Sequence, residues 1–247
     1  MIDLTDFLNP VVKEKKNFEQ KTIDNWVAAG LNKGIDVQSL QKSLMRQVLI
    51  ENVEYIFSTK QLASDYCPPP AAVTGYLNAD LEPTPTAIAA VNCLKTHTQL
   101  LQGSTDKGIL DVFFQEVGAR FFAAVCKHIK SLKINPEGGI KLISYVPESQ
   151  ILMSRDFNLF HNYASSLRQI TIMPYFVALK EVGHIFIIEE GQGKAVGSVV
   201  TDVIRFEGIF RPEEVYEFVQ CRSDWLKIKR DVEKALFGLG RDDCLVM

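Results

Sequence analysis

The sequence predicts an all-α fold. Apolar residues recur every three or four positions along most of the chain, which is the pattern of helices that bury one face. Asn-Pro, Thr-Pro and Pro-Glu steps mark repeated helix starts, because proline is favoured at the first helical position. The run Ile185–Ile188 could form a strand, but no partner strand flanks it in the sequence, so we interpret it as a buried helix end.

The N-terminal part of the chain should form two helices. The first begins at Asn9-Pro10, and the second spans about Val37 to Phe57. The composition then changes at Pro68-Pro69-Pro70, which cannot lie inside a helix. We therefore predict an N-terminal helical segment over residues 1–65 and a Pro-rich linker or surface loop over residues 66–83.

A second helical bundle is predicted over residues 84–237. Its helices are expected from Pro85 to Gly103, from Asp106 to Leu132, from Pro136 to about Tyr145, from Glu148 to Phe160, across Leu167–Ile188 with a kink or new start at Pro174, over residues 195–204, and from Pro212 to Phe237. The last would be one helix of about seven turns, with Leu226 among its buried apolar residues and Gly238 as its stop. The phenylalanines between Leu110 and Leu132 are interpreted as core.

The last four residues match the C-a-a-X pattern for prenylation. Cys244 would be the modified thiol, Leu245 and Val246 the aliphatic pair, and Met247 the final residue, which favours farnesyl. The transferase would recognise the last three side chains and the C-terminal carboxylate. We predict a flexible, polar tail over residues 238–247; the alternative is an apolar tail that ends in this pattern by chance.

The composition limits the class of protein and its compartment. A formal net charge of -3 argues against a general nucleic-acid binder. The five cysteines show no paired spacing, as expected in a reducing compartment. No run of about 18 apolar residues is present, and the N-terminus has no apolar stretch typical of a secretory signal. We therefore expect a cytoplasmic location.

We find no motif of an active site in the sequence. The stretch Gly191–Lys194 lacks the spacing of a phosphate-binding loop, and the four histidines have no metal-ligand spacing. Acidic pairs such as Glu213-Glu214 lie at element ends, where they interact with a helix dipole. The sequence predicts a protein that is not an enzyme and uses no cofactor or metal. An enzyme with dispersed catalytic residues is the alternative.

A single farnesyl group would hold the chain only weakly. One lipid chain gives an association constant near 10⁴ M⁻¹, and Asp242 and Asp243 would be repelled by an anionic membrane. A group of basic residues precedes the tail, and Asp231 and Glu233 lie among them and lower its net positive charge. We interpret this group as a solvated helix face. Its members are Lys227, Lys229, Arg230 and Lys234. The second contact is therefore expected to be a protein, such as a membrane-bound GTPase.

Three stretches of the C-terminal half resemble a known family. Gly138–Ser144, Tyr175–Ile188 and Arg205–Gly238 with the following Cys-Leu-Val-Met are similar to the C-terminal part of the recyclins, fungal F-box proteins related to the Sec10 subunit of the exocyst. The resemblance covers roughly residues 105–247. It implies an elongated stack of helical bundles, as in multisubunit tethering complexes. The family's C-a-a-X end is matched position by position.

The resemblance also implies a function and partners. Recyclins act in endocytic recycling and return an exocytic SNARE from endosomes to the Golgi and plasma membrane. They are associated with a Rab GTPase of the late Golgi. We therefore expect a trafficking scaffold that is peripheral on endosome, Golgi and plasma membranes. The alternative is a substrate adaptor of an SCF-type ubiquitin ligase. An F-box, through which the SCF linker subunit would bind, is expected near the N-terminus of the family but is not found in this sequence.

Overall fold

The computed structural model describes residues 37–69, 82–102, 107–143 and 155–238. In these ranges the chain forms ten α-helices and one 3-10 turn, Ile204–Phe206. The helices are α1 Val37–Lys60, α2 Ala63–Tyr66, α3 Pro85–Gln102, α4 Lys107–Lys130, α5 Pro136–Leu142, α6 Asp156–Ser166, α7 Met173–Ile187, α8 Gly193–Thr201, α9 Pro212–Val219 and α10 Trp225–Phe237. The described ranges contain no strand beyond an isolated bridge between Ile134 and Arg222. The all-α prediction is confirmed.

The core is built around the long helix α4. Phe121 is fully buried in the middle of this helix. The rings of Phe160, Tyr163 and Phe176 surround it at centroid distances of 5.4, 5.5 and 5.8 Å. Aromatic rings at these separations attract each other beyond the burial of their area. The aromatic residues of α4 are therefore core, as the sequence predicts.

Helix α1 belongs to the same core as the C-terminal helices. It packs on α3 and α4, and its Val53 and Phe57 are buried in one continuous apolar cluster with Phe121. The described start of the predicted linker is also packed, since Tyr66 is only 2% exposed. Residues 70–81 lie outside the described residues, so the proposed division of the chain at residues 66–83 stays a prediction.

Two glycines let helix α5 approach its neighbours at backbone distance. A Cβ atom on Gly138 would lie 1.8 Å from the carbonyl oxygen of Tyr66. A Cβ atom on Gly139 would lie 2.6 Å from the carbonyl oxygen of Phe186. Any side chain here would therefore separate α5 from α2 or from α7.

Most predicted helix starts in the described residues are confirmed. The side chain of Asn135 accepts a hydrogen bond from the N–H of Gly138 at 2.8 Å and so caps α5. Pro174 lies in the first turn of α7, which is a new helix, and α7 continues to Ile187 rather than forming a strand.

Some predicted helix limits are wrong, and others remain untested. The predicted end at Phe160 is wrong, because α6 continues to Ser166. The predicted helix over residues 195–204 is α8, which ends at Thr201 and is followed by the 3-10 turn. The predicted first helix after Pro10 lies outside the described residues, as does the expected start at Glu148.

The largest error concerns the predicted helix from Pro212 to Phe237. The chain forms two helices there, α9 and α10, which are separated by residues 220–224. Arg222 and Asp224 lie in this break and are both buried. Their side chains enter the core to bind another helix, and a continuous helix could not place them there.

Candidate functional site

The predicted lipidation site lies beyond the described part of the chain, which ends at Gly238. Cys244 and the recognition residues Leu245, Val246 and Met247 therefore stay a prediction. The structure does describe helix α10, which directly precedes the tail. The position of α10 fixes the point on the bundle from which residues 239–247 begin.

Helix α10 is held tightly against α8. Its Ile228 and Val232 are buried, and the two helices meet at glycines of α8. A Cβ atom on Gly197 would lie 2.8 Å from the Cβ of Ala235. Helix α10 ends at Gly238, which has a left-handed φ of 66° and donates its N–H to the carbonyl of Lys234 at 3.1 Å. The predicted stop at Gly238 is confirmed.

A buried ion pair holds the turn between α9 and α10. The guanidinium of Arg222 contacts both carboxylate oxygens of Asp224, at 2.8 and 3.0 Å. It also donates to the carbonyl oxygens of Ile185 and Ile188 at 2.5 and 3.0 Å. These carbonyls lie at the C-terminal end of α7, where they have no partner within the helix. Arg222 therefore caps α7 from a distant part of the chain.

Asp224 is held in its ionised form. Burial by itself raises the pKa of this carboxyl, but the hydrogen bonds from Arg222 and from the N–H of Gly191, with the guanidinium charge, outweigh burial and lower it. Backbone bonds complete the turn: Ile134 donates to the carbonyl of Cys221 at 2.8 Å and accepts from the N–H of Ser223 at 2.7 Å.

A second buried carboxylate connects three other elements. Asp156, at the start of α6, accepts a hydrogen bond from the hydroxyl of Tyr66. It also accepts from the hydroxyl of Thr84 at 2.9 Å and from its backbone N–H at 2.7 Å. The Thr84 oxygen in turn accepts from the N–H of Ala87 at 3.2 Å and caps α3. Tyr66 and Thr84, at the two ends of segment 66–84, are thus both bound to the side chain of Asp156.

Burial dominates the electrostatics of this second cluster. It raises the pKa of Asp156 to about 6, because the hydrogen bonds from Tyr66 and Thr84 offset only part of the lost solvation. The pKa of Tyr66 is raised well above its usual value, first by burial and then by the Asp156 charge. Asp156 is 0% and Tyr66 2% exposed, so no substrate can reach the pair. We interpret the cluster as a structural tie.

A groove of about 580 Å³ lies between α1 and α4. In it, the ring of His128 stacks on Phe57 at 4.3 Å, and its Nε2 lies 3.2 Å from the side-chain oxygen of Gln61. Burial lowers the pKa of His128 to about 4, so the ring is neutral at pH 7. Lys127 forms an ion pair with Glu54 of α1 at 2.9 Å. These contacts join two helices, and a single neutral histidine offers no general acid at pH 7.

Two buried thiols, Cys126 and Cys221, are poor nucleophiles. Burial raises the pKa of Cys126 to about 12 and that of Cys221 to about 11, so both remain protonated. No three His, Cys, Asp or Glu side chains in the described ranges are placed to hold a metal ion. Nor is any helix of those ranges long and apolar enough to cross a membrane.

Comparison with known proteins assigns the family. Residues 2–234 match the family described as "Exocyst complex component Sec10-like, alpha-helical bundle". The chain belongs to this Sec10-like family. Recyclin-1 of Saccharomyces cerevisiae is 43% identical over 243 residues, which is 98% of this chain and 26% of that protein. F-box protein pof6 of Schizosaccharomyces pombe is 38% identical over 245 residues, which is 98% of this chain and 24% of that protein.

The chain therefore spans about a quarter of the length of these curated relatives. The predicted resemblance to the recyclins is confirmed, and it is broader than expected. The sequence pattern indicated it only from residue 105 onward, whereas the matches cover nearly the whole chain. The expected helical bundle of the tethering-complex type is likewise confirmed by the Sec10-like match.

The two buried clusters of this Sec10-like bundle were not predicted. Ser223 and Asp224 are residues that favour helix N-termini, so they could have indicated the new helix at Trp225. No local pattern could have paired Asp156 with Tyr66 and Thr84, which lie 90 and 72 positions away.

Proposed function

We propose that this chain is a non-enzymatic, protein-binding scaffold of vesicle trafficking that acts in endocytic recycling and exocytosis. The observation that carries the proposal is the Sec10-like match over residues 2–234, together with 43% identity to a protein named Recyclin-1. The buried polar groups of the bundle support it, because Arg222, Asp224 and Asp156 are engaged in holding helices together. Outward helix surfaces then remain for binding partners.

The scaffold would be held on membranes by a farnesyl group on Cys244. Leu245, Val246 and Met247 would present the transferase with its recognition sequence. One chain gives weak, reversible attachment with an association constant near 10⁴ M⁻¹, so a further contact is required. The proposed location is the cytoplasmic side of endosome, Golgi and plasma membranes, with a Rab GTPase and SNARE cargo as partners.

The lipid is tested by replacing Cys244 with Ser. Cells that express the wild-type or the variant chain are labelled with an isoprenoid precursor and fractionated. We expect label on the wild-type chain alone and a shift of the Cys244→Ser variant to the soluble fraction. A Met247→Leu variant serves as a matched control, because it should exchange farnesyl for geranylgeranyl without losing the modification. An unlabelled wild-type chain would rule out the lipid.

The GTPase partner is tested separately from the lipid. The Cys244→Ser chain is incubated in solution with immobilised Rab GTPases of the late Golgi, loaded with GDP or with a non-hydrolysable GTP analogue. We expect binding that depends on the GTP-bound state. Equal capture in both nucleotide states, or none in either, would contradict this partner.

A second candidate function is supported by the similarity to F-box protein pof6. In this proposal, the chain is the substrate-holding part of an SCF-type ubiquitin ligase adaptor, and a longer protein supplies the F-box. The SCF linker subunit should then co-purify with the longer protein, and a bound protein should become ubiquitylated. If the linker subunit does not co-purify, the adaptor role is wrong.

A further inference from the structure

The outward face of helix α10 carries an unusual combination of exposed residues. Leu226 is 87% exposed and Phe237 is 54% exposed, at opposite ends of the helix. Three exposed cations, Lys227, Arg230 and Lys234, lie on the helix between them. The sequence placed Leu226 in the buried stripe, and the structure shows that this prediction is wrong. We name these five residues the α10 outer face.

These residues share one side of the helix. With 3.6 residues per turn, Leu226, Phe237, Arg230, Lys234 and Lys227 fall within an arc of about 100°. Ile228 and Val232, which pack on α8, lie on the opposite side and are buried. The rise of 1.5 Å per residue separates Leu226 from Phe237 by about 17 Å. Leu226 and the three cations therefore point away from the bundle, while Phe237 lies beside them with one edge of its ring against Tyr216, at a centroid distance of 6.0 Å, and the rest exposed.

The acids near this face only weakly reduce its charge. Glu233 at the edge of the arc accepts a hydrogen bond from the hydroxyl of Tyr216 at 2.8 Å. Lys227 lies 3.4 Å from Glu190, but it remains 71% exposed, and such surface pairs contribute little. Arg230 and Lys234 form no ion pair with any residue that the structure describes. The α10 outer face therefore carries three cations and no acid within its arc.

We propose that the α10 outer face binds the surface of an anionic lipid bilayer. Cations attract anionic headgroups, while exposed Leu and Phe side chains enter the boundary between headgroups and acyl chains. The order of residues favours a membrane over a protein partner. Protein interfaces concentrate apolar residues at the centre and deplete charges there, whereas this face has its cations in the centre and its apolar residues at the ends.

The position of the face along the chain supports the same partner. Phe237 precedes Cys244 by seven residues, which span at most about 25 Å when fully extended. A lipid on Cys244 and the α10 outer face could therefore contact one membrane, and the face would be the second contact that one farnesyl group requires. In this respect the inference extends the proposed function. It is an alternative to two expectations from the sequence, namely a solvated basic face and a protein as the second contact.

The test uses the unmodified 247-residue chain with Cys244→Ser, so that it does not depend on the lipid. Binding is measured by co-sedimentation with phosphatidylcholine vesicles that contain or lack phosphatidylserine. We expect binding only with phosphatidylserine, and we expect it to weaken as salt is added. Replacing Lys227, Arg230 and Lys234 together with Gln should weaken binding about 100-fold, since each cation contributes about fivefold. Gln is a good helix former, so α10 should persist, which circular dichroism checks.

Two further variants make the test specific. The control replaces three exposed cations on other helices, Lys60, Lys95 and Lys107, with Gln, and it should bind as the parent chain does. Replacing Leu226 and Phe237 with Ser keeps the charge, and it should also weaken binding if these side chains enter the bilayer.

Three results would overturn the proposal. They are no phosphatidylserine-dependent binding by the parent chain, equal losses in the control and the α10 triple variant, and unchanged lipid binding by that triple variant. None of these results tests whether Cys244 is lipidated. Conversely, a wild-type chain that carries no isoprenoid in cells leaves the vesicle result standing, so the two failures can be told apart.

Discussion

Two buried aspartates in this protein have opposite protonation tendencies. Asp156 and Asp224 are 0% and 2% exposed, and each lies at the N-terminal end of a helix. The pKa of Asp156 is raised to about 6, whereas that of Asp224 is lowered. The donors differ: two hydroxyls and a backbone N–H bind Asp156, whereas a guanidinium and the backbone N–H of Gly191 bind Asp224. Burial alone therefore does not decide whether a carboxyl is charged.

Both aspartates hold together segments that are distant in sequence. Asp224 and Arg222 attach the α9–α10 turn to the end of α7, and Asp156 attaches α6 to Tyr66 and Thr84. A buried ion pair requires both partners, since a lone buried charge is poorly solvated. A carboxyl bound by neutral donors can instead take up a proton. Substitutions should therefore affect the two clusters differently.

The largest effect is expected from Arg222→Met. This change leaves the Asp224 carboxylate buried without its cation and removes the donors to Ile185 and Ile188. Removing one partner of a buried pair costs about 3–5 kcal/mol. Urea unfolding followed by circular dichroism should show this loss. The control is Lys127→Met, which breaks an exposed pair with Glu54 and should cost less than about 1 kcal/mol. Equal losses would refute the special role of the buried pair.

The pH dependence of the free energy of unfolding should distinguish the contributions of the two aspartates, because they have opposite signs. The pKa of Asp156 rises from 3.8 to about 6 on folding, so its contribution is complete below pH 3.8 and is lost as pH rises through 6. This loss is about 3 kcal/mol. Asp224 has the opposite sign, since its pKa is lowered and its contribution is lost only as pH falls towards that value.

The contribution of Asp156 to the free energy of unfolding is isolated by comparing the wild-type chain with the Asp156→Asn variant. The free energy of unfolding of both chains is measured from pH 3 to pH 7. The difference between wild type and variant should change by about 3 kcal/mol in favour of the variant as pH rises. A constant difference would mean that Asp156 does not titrate in this range.

A smaller loss is expected from Gly138→Ala. The new Cβ atom would collide with the carbonyl of Tyr66 and displace Tyr66 from Asp156. Overpacking of this kind costs about 1–3 kcal/mol. The variant should also show a weaker pH dependence than wild type between pH 4 and 7, because Asp156 becomes better solvated. Ile140→Ala, on the exposed side of α5, is the matched control and should cost about 0.5 kcal/mol.

The smallest effect is expected from Thr84→Val. It removes the hydroxyl that caps α3 and donates to Asp156, while the backbone N–H of Thr84 still binds the carboxylate. Loss of such a cap costs about 1 kcal/mol. Thr84→Ser keeps the hydroxyl and should unfold at nearly the wild-type temperature in a thermal melt. A Val variant as stable as the Ser variant would contradict the capping role.

The sequence predicts the parts of this fold that depend on neighbours in the chain. Asn135-Pro136 and Thr84-Pro85 mark helix starts because the cap and the fixed proline φ act within one turn. The break at residues 220–224 depends on Arg222 reaching the end of α7, more than thirty positions earlier. An apolar pattern that continues through residues 212–237 carries no information about that contact.

The candidate lipid surface was only half predictable. The basic residues near Arg230 are visible in the sequence, and their spacing shows that they share a helix side. The exposure of Leu226 is not visible, since the sequence does not say which side of α10 meets α8. Small residues on α8, above all Gly197, let Ile228 and Val232 face inward and turn Leu226 outward.

The cap that Arg222 places on α7 has a consequence for deletion experiments. Ile134 is hydrogen-bonded to Cys221 and Ser223, and Arg222 is hydrogen-bonded to Ile185, so the last two helices form part of one cooperative unit with α7. A chain shortened before Arg222 would lose the donors at the end of α7 and expose the apolar side of α8. A loss of activity in such a shortened chain would therefore reflect misfolding and not a role of the deleted residues. Deletions intended to examine the tail should therefore end no earlier than Gly238.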